Sequence, residues 1–303
     1  MGNLKELERK AIERLKDFEP DDECGYYLCY SGGKDSDVIR ILAELAGVRH
    51  EIHHNHTSVD APETVRYIRT IPNVHIDYPV WEFGENKGKR LTMWNLIPHK
   101  GYPPTRIARF CCDYLKERGG AGRLKITGVR KAESIGRMRN QGMLNVIGKP
   151  KTTAKIAEEI GADYELNDYG GLIMNMDNAE SRRVVEVCYR TTQMMLNPII
   201  DWETKDVWNF LKHYGCKANP LYQCGESRVG CVGCPLAGAK QQYRDFEKYP
   251  KYRLNYVRAF ERMLKRREEL GKAKFNIWSG TGESVMRWWL GENPNQITFE
   301  DLS

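Results

Sequence analysis

The hexapeptide Ser31-Gly32-Gly33-Lys34-Asp35-Ser36 constrains this chain more than any other feature, because of what flanks it. Before it, Tyr26-Tyr27-Leu28-Cys29-Tyr30 reads as a buried strand. After it, Val38, Ile39, Ile41, Leu42 and Leu45 recur with the spacing of an apolar helical face. Two glycines let the backbone turn sharply and approach a ligand closely. The helix that follows offers unpaired N–H groups and the positive end of its dipole to an anion. Lys34 adds a point charge, and Ser31 and Ser36 add hydroxyl donors. A Gly-Gly pair alone marks only a turn. Strand, loop and helix together make a phosphate-sized cradle, although one residue between the first glycine and the lysine is not Walker A spacing.

The rest of the chain continues the alternation. A second strand is expected at His50 to His54, a helix after Pro62-Glu63-Thr64, a third strand through Val74-His75-Ile76, and further strands at Arg123 to Thr127 and Val184 to Cys188. This order predicts an α/β fold, a mostly parallel sheet with helices on both faces. Ahead of it, Leu4, Leu7, Ala11, Leu15 and Phe18 mark a helix opened by an Asn3–Glu6 capping box and stopped by Pro20. Asp201 is the expected cap of the helix holding Val207, Trp208 and Leu211. Between about 138 and 180 the pattern weakens to one helix, Thr153 to Ile160 closed by Gly161, and reads as an insertion or a lid. After Pro235 the chain turns helical and basic, with Tyr252, Tyr256, Phe260 and Leu264 on one face suited to packing on the main sheet, then Trp-rich from Trp278 to Trp289. The expected domains are an N-terminal helix over 1–24, a nucleotide-binding domain over 25–239 and a helical C-terminal region over 240–303.

No run of 18 apolar residues occurs and the first twenty residues are charged, so neither a membrane span nor a secretory signal is expected. Gly2 has Glu6 where a myristoylation motif wants Ser or Thr. A soluble cytoplasmic protein is the expectation, and in that compartment the nine cysteines point to metal or redox chemistry rather than disulfides. Cys111-Cys112 and Cys231-Val232-Gly233-Cys234 supply four thiolates, a set that admits zinc or an iron-sulfur cluster. Adjacent cysteines argue against a zinc ribbon, whereas a cluster offers several irons as separate attachment points. His50, His53, His54 and His56 alternate between faces and read as strand and loop residues rather than a second metal site. The formal charge of +6 suits phosphate-rich ligands without establishing nucleic acid.

The Ser-Gly-Gly-x-Asp-Ser loop resembles that of the N-type ATP pyrophosphatases, which adenylate a substrate oxygen and release pyrophosphate. The four cysteines, followed by Pro235-Leu236, resemble the iron-sulfur branch of the adenylyl-sulfate and phosphoadenylyl-sulfate (PAPS) reductase family. So do Pro62-Glu63-Thr64, Cys111-Cys112-Asp113-Tyr114-Leu115-Lys116, Gly128-Val129-Arg130-Lys131-Ala132-Glu133-Ser134, Asn197-Pro198-Ile199-Ile200-Asp201-Trp202 and Asn219-Pro220-Leu221-Tyr222. The resemblance spans roughly residues 26 to 238. It implies an adenine nucleotide alpha hydrolase-like fold, with Cys111, Cys112, Cys231 and Cys234 holding a 4Fe-4S cluster. It also implies ATP on Ser31 to Ser36, with Arg130, Ser134 and Arg137 toward oxyanions and Asp60 placing Mg2+ or the adenosine. Lys34, Asp35 and Arg130 would carry the chemistry.

Reductases of the family use a cysteine in a Glu-Cys-Gly-like tail, and here no cysteine follows Cys234 and the tail reads Thr298-Phe299-Glu300-Asp301-Leu302-Ser303. That departure and the intact loop favour the ATP pyrophosphatases of sulfur transfer, including those of DNA phosphorothioation, which act with a cysteine desulfurase. Cys224 is then the candidate sulfur-carrying thiol and nucleic acid the candidate acceptor. The competing expectations are an adenylyl-sulfate or PAPS reductase using an external thiol, and a nucleotide-binding scaffold with a structural cluster.

Overall fold

The structure of the chain is a computed structural model that describes residues 2–272, 278 and 280–292. The tail at 298–303 lies outside the described residues, as does the Asn3 side chain. In chain order the elements are α1 (Gly2–Asp17), β1 (Tyr26–Cys29), α2 (Lys34–Ala46), β2 (His50–Asn55), α3 (Pro62–Ile68), β3 (Val74–Asp77), α4 (Met93–Lys100) and α5 (Phe110–Cys112). Then follow β4 (Lys125–Ile126), α6 (Ile135–Asn140), β5 (Leu144–Val146), α7 (Pro150–Ile160), β6 (Glu165–Leu166), β7 (Leu172–Met174), α8 (Ala179–Cys188) and β8 (Met194–Leu196). The last are α9 (Thr204–His213), α10 (Ala239–Lys248), α11 (Pro250–Glu269) and α12 (Gly282–Trp289). No described helix is long and apolar enough to cross a membrane.

The chain divides into two compact units, each discontinuous in sequence. One comprises Met1–His54, Pro62–Asp77 and Gly119–Val229, and the other Asn55–Ala61, Tyr78–Arg118 and Gly230–Ser303.

The first unit holds an eight-stranded sheet in the order β3-β2-β1-β4-β8-β5-β7-β6. β1 pairs parallel with β2 and with β4, and β4 parallel with β8. The fold is therefore of the expected α/β class, a mostly parallel sheet with helices packed around it. Strand order reverses at β1, whose neighbours are β2 on one side and β4 on the other. In such sheets the loop leaving the C-terminal end of the switch strand is where ligands bind, and here that loop is Ser31 to Gly33. Residues 138–180, expected as an insertion or a lid, extend the sheet: β5 pairs antiparallel with β8, β7 with β5, and β6 with β7.

Apolar burial follows the sequence pattern where it is strongest. Ala11, Leu15 and Phe18 of α1 join Tyr26 and Leu28 of β1, Val38, Ile39 and Leu42 of α2, and Val207, Phe210 and Leu211 of α9 in one core. Leu4 and Leu7 pack against it partly buried. The helix closed by Gly161 forms as expected, with that glycine left-handed at φ 81°.

Two expectations are corrected. Val184 to Cys188 is helix, not strand: Asn178 caps it by accepting from Ser181 N–H, and Ser181, Val184, Val185 and Cys188 are buried at helical spacing. Asp201 does not cap α9, whose N-cap is Glu203. Asp201 instead accepts from Arg14 and Lys10 of α1, at 3.0 and 2.9 Å.

A buried carboxyl lies one turn into α2. Asp37 accepts hydrogen bonds from the hydroxyls of Tyr30 at 2.5 Å and Tyr67 at 3.0 Å. Burial outweighs these donors and pushes its carboxyl up from 3.8 to about 6. A group with a raised native pKa contributes most below its unfolded value and loses that contribution as pH rises through the native one. The wild type should therefore lose about 2 kcal/mol relative to Asp37→Asn between pH 4.5 and 7.5, by urea unfolding. A difference between the two proteins that does not change over that range contradicts the assignment.

Candidate functional site

The loop after β1 is shaped by its own sequence. Gly32 has φ +73°, and a Cβ there would lie 2.9 Å from Ile68 and 3.2 Å from Thr64 of α3, so this position excludes side chains twice over. Ser36 closes the loop, its Oγ donating to Gly33 O at 2.7 Å and accepting from Gly33 N–H at 3.1 Å. Buried Asn219 donates from Nδ2 to Gly32 O at 3.0 Å and to Thr64 Oγ1 at 3.2 Å, fixing the loop from a distant part of the chain.

The charges around the loop form a chain. Lys34 Nζ is 3.1 Å from one oxygen of Asp35, and Arg130 Nε donates to the other at 2.7 Å. Arg130 is 1% exposed, and its Nη1 also donates to Trp202 O at 3.2 Å. Its guanidinium, expected to face an oxyanion directly, thus sets the carboxylate of Asp35 instead. Gly128 lets the two segments meet, since a Cβ there would lie 2.8 Å from Asp35 O.

Ser134 and Arg137 sit on the same connection but serve it locally. Ser134 caps α6 by accepting from Arg137 N–H at 3.2 Å, and the Arg137 guanidinium pairs with Glu133. Cys224 is exposed at the end of a short turn, Pro220–Cys224, closed by left-handed Gly225. Tyr222 of that turn accepts a hydrogen bond from Lys34 N–H at 2.9 Å. His53 pairs with Asp77 at 2.8 Å and stacks on Tyr27 and His75, while His54 bonds Tyr30 O.

The second unit gathers all four expected metal cysteines, and with them Asp60. Cys111 and Cys112 end α5, and a π-helical turn, Asp113–Glu117, follows. The Cys231–Cys234 loop turns at Gly233, φ +71°, where a Cβ would lie 2.4 Å from Phe246. Asp245 and Gln242 of α10 hold the Gly233 N–H and C=O at 2.8 and 3.1 Å. Asp60 bridges Cys231 through the backbone, and its carboxylate accepts from Thr57 N–H at 2.8 Å. Thr57 Oγ1 lies 3.7 Å from Cys231 Sγ. Asp60, expected near magnesium or adenosine, therefore supports the cysteine loop. Tyr256 and Phe260, expected to pack on the main sheet, pack inside this unit with Trp94, Phe246 and Trp289.

One functional-looking residue here escaped sequence reasoning. Lys116 is held firmly as a cation by Cys231 first, then by Asp60 and Cys112. The hydrogen bond from Cys111 lowers the Cys112 thiol, helped by Arg109 and Lys116, while Cys111 keeps its proton. Burial pushes the Cys231 thiol up. Four thiols within electrostatic reach of one another beside a cation suit an anionic, thiolate-bound group. Among the described residues no three His, Cys, Asp or Glu side chains converge closely enough to hold a single metal ion. The sequence signal for Lys116 was its place four residues after Cys112 on a helical segment.

Arg130→Met leaves the Asp35 carboxylate with Lys34 alone. The variant should lose about 3 kcal/mol of unfolding free energy in urea, the low end of the cost of breaking a buried pair. An unchanged transition midpoint contradicts the structural role of the pair.

The phosphoadenosine phosphosulfate reductase domain matches residues 25–237. An uncharacterised protein of Methanocaldococcus jannaschii is 24% identical over 276 residues, 86% of this chain and 54% of that protein. An adenosine 5'-phosphosulfate reductase of Allochromatium vinosum is 38% identical over 42 residues, 14% of this chain and 16% of that enzyme. The solved phosphoadenylyl-sulfate reductase of Candida auris superposes with a TM-score of 0.41 at 14% identity, covering 76% of this chain and 95% of that one. The chain spans about half or less of the length of the first curated relatives it matches. With the domain match running over most of its length, the chain belongs to the phosphoadenosine phosphosulfate reductase family.

Proposed function

We propose that this protein is an ATP pyrophosphatase that adenylates an acceptor oxygen for sulfur transfer. The observation that carries the reading is the intact loop at the switch strand, with Lys34, Asp35 and Arg130 in one ionic chain. The loop amides and the N-terminus of α2 would bind the ATP phosphates with Mg2+ as their counterion. Lys34 would offset charge on the pyrophosphate as it leaves. The acceptor oxygen attacks the α-phosphorus, the bond to pyrophosphate breaks, and the oxygen is left bonded to AMP, a good leaving group. Cys224, exposed on the turn that carries Tyr222, is the thiol proposed to receive sulfane sulfur as a persulfide from a donor such as a cysteine desulfurase. The terminal sulfur displaces AMP and leaves a disulfide between Cys224 and the acceptor, which two equivalents of an external thiol reduce to the thiolated acceptor and the free Cys224 thiol. Nucleic acid is the proposed acceptor.

Cys111, Cys112, Cys231 and Cys234 would hold a 4Fe-4S cluster. Such a group supplies redox capacity or a binding point for sulfide. The chain's own contribution is Lys116, a cation that offsets the negative charge of thiolate ligands, and the Gly233 turn that presents Cys231 and Cys234. A second reading, reduction of activated sulfate with an external thiol, is favoured by the matched segment of the adenosine 5'-phosphosulfate reductase.

Anaerobic purification should return iron and acid-labile sulfide near four of each per chain, as a 4Fe-4S cluster requires, and both should be lost in Cys231→Ser. The same protein should release pyrophosphate from ATP in the presence of acceptor, and Lys34→Ala should weaken ATP binding by about ten-fold or more. Stoichiometric zinc without iron overturns the cluster. Sulfite release from activated sulfate with thioredoxin or glutathione overturns the ATP pyrophosphatase reading in favour of the reductase.

A further inference from the structure

The first amide of α2 is already taken. In a phosphate loop the N–H groups at the start of the helix are the donors that a ligand satisfies. Here Lys34 N–H donates to the Tyr222 hydroxyl at 2.9 Å. A Cβ placed on Gly33 would lie 3.3 Å from that hydroxyl, so the phenol sits directly against the loop. The ring also covers the second donor of the same residue. Lys34 Nζ lies 5.7 Å from the ring centroid, and the lysine side chain is only 8% exposed. The helix-start amide donates to one oxygen beside a buried ammonium group, an arrangement suited to an oxyanion, and a phenol occupies it.

We propose that Tyr222 stands in for a phosphate oxygen when the loop is empty, and that a triphosphate binds by displacing its hydroxyl from the Lys34 amide. The proposal rests on the reading of the loop as an ATP site and adds how that site is regulated. Burial pushes the Tyr222 phenol up to about 12, so its oxygen is a neutral acceptor. A charged phosphate oxygen makes roughly twice as strong a hydrogen bond to the same donor, and it also pairs with the Lys34 ammonium as a full charge. The exchange therefore favours a polyphosphate over a singly charged or neutral ligand. Weak anions leave the phenol in place. Tyr222 is a specificity-determining residue in this account, and the exposed thiol of Cys224 moves with its turn.

The test is titration calorimetry of the full chain with ATP and with inorganic pyrophosphate. Tyr222→Phe keeps the ring and its packing but leaves the Lys34 amide without its acceptor. Both ligands should bind about ten-fold tighter to the variant, since only the ligand now satisfies that donor. An independent readout comes from Trp208, which packs edge-on against Tyr222 with centroids 5.1 Å apart. Saturating ATP should change the tryptophan emission of the wild type, and that change should vanish in Trp208→Phe. A wild type that binds ATP together with a Tyr222→Phe variant of equal or weaker affinity overturns the displacement and leaves the loop reading standing. ATP binding with no Trp208-dependent change in emission does the same. If neither folded protein binds ATP or pyrophosphate, the loop reading falls and this inference with it.

Discussion

The Asp35 carboxylate is shared between two cations, and much of the first unit is arranged so that it can be. Lys34 approaches one oxygen from the same loop, and Arg130 approaches the other from the connection after β4. Burying Arg130 almost completely is tolerable only because Asp35 and the Trp202 carbonyl meet its donors. That pairing needs β1 and β4 side by side, which the parallel register supplies, and it needs Gly128, where any side chain would strike the Asp35 backbone. The segments after β1, β4 and β8 are thereby joined at the same end of the sheet.

The cysteine unit solves a different problem with a similar economy of parts. Its thiols come from two segments far apart in sequence, and each segment is held by backbone constraints rather than by the thiols themselves. Gly233 turns where Phe246 leaves no room for a Cβ, and α10 satisfies both backbone groups of that turn. Lys116 and Arg109 each contribute a charge drawn to more than one sulfur. Cations placed this way lower the cost of thiolates before any group binds them.

Periodicity and turn chemistry made the central elements legible in the sequence. The strand, loop and helix at 26–46, the apolar stripe of α1 and the Gly161 stop all follow from spacing and from residues with special backbone freedom. Val184 to Cys188 misled because three valines and a cysteine suggest a strand, while the deciding signal was the Asn178 cap several residues earlier. Asp201 and Asp60 misled because a carboxylate beside a helix start or a motif is ambiguous until its partners are known. One belongs to Arg14 and the other to the Cys231 loop. The cross-chain contacts were not legible at all. Nothing local to Tyr222 announces that its hydroxyl meets the Lys34 amide.

Asn219 carries a consequence for the order in which the chain can acquire its shape. It holds the Gly32 carbonyl from 187 residues downstream. During synthesis from the N-terminus, β1 and α2 emerge early, but the acceptor on Gly32 stays unmatched until the ribosome has passed residue 219. A buried carbonyl left without a donor is costly, so the loop reaches its final conformation late. Such long-range closure slows folding. It also means that a nascent or truncated chain can present the whole signature hexapeptide while still lacking the rigid cradle it encodes.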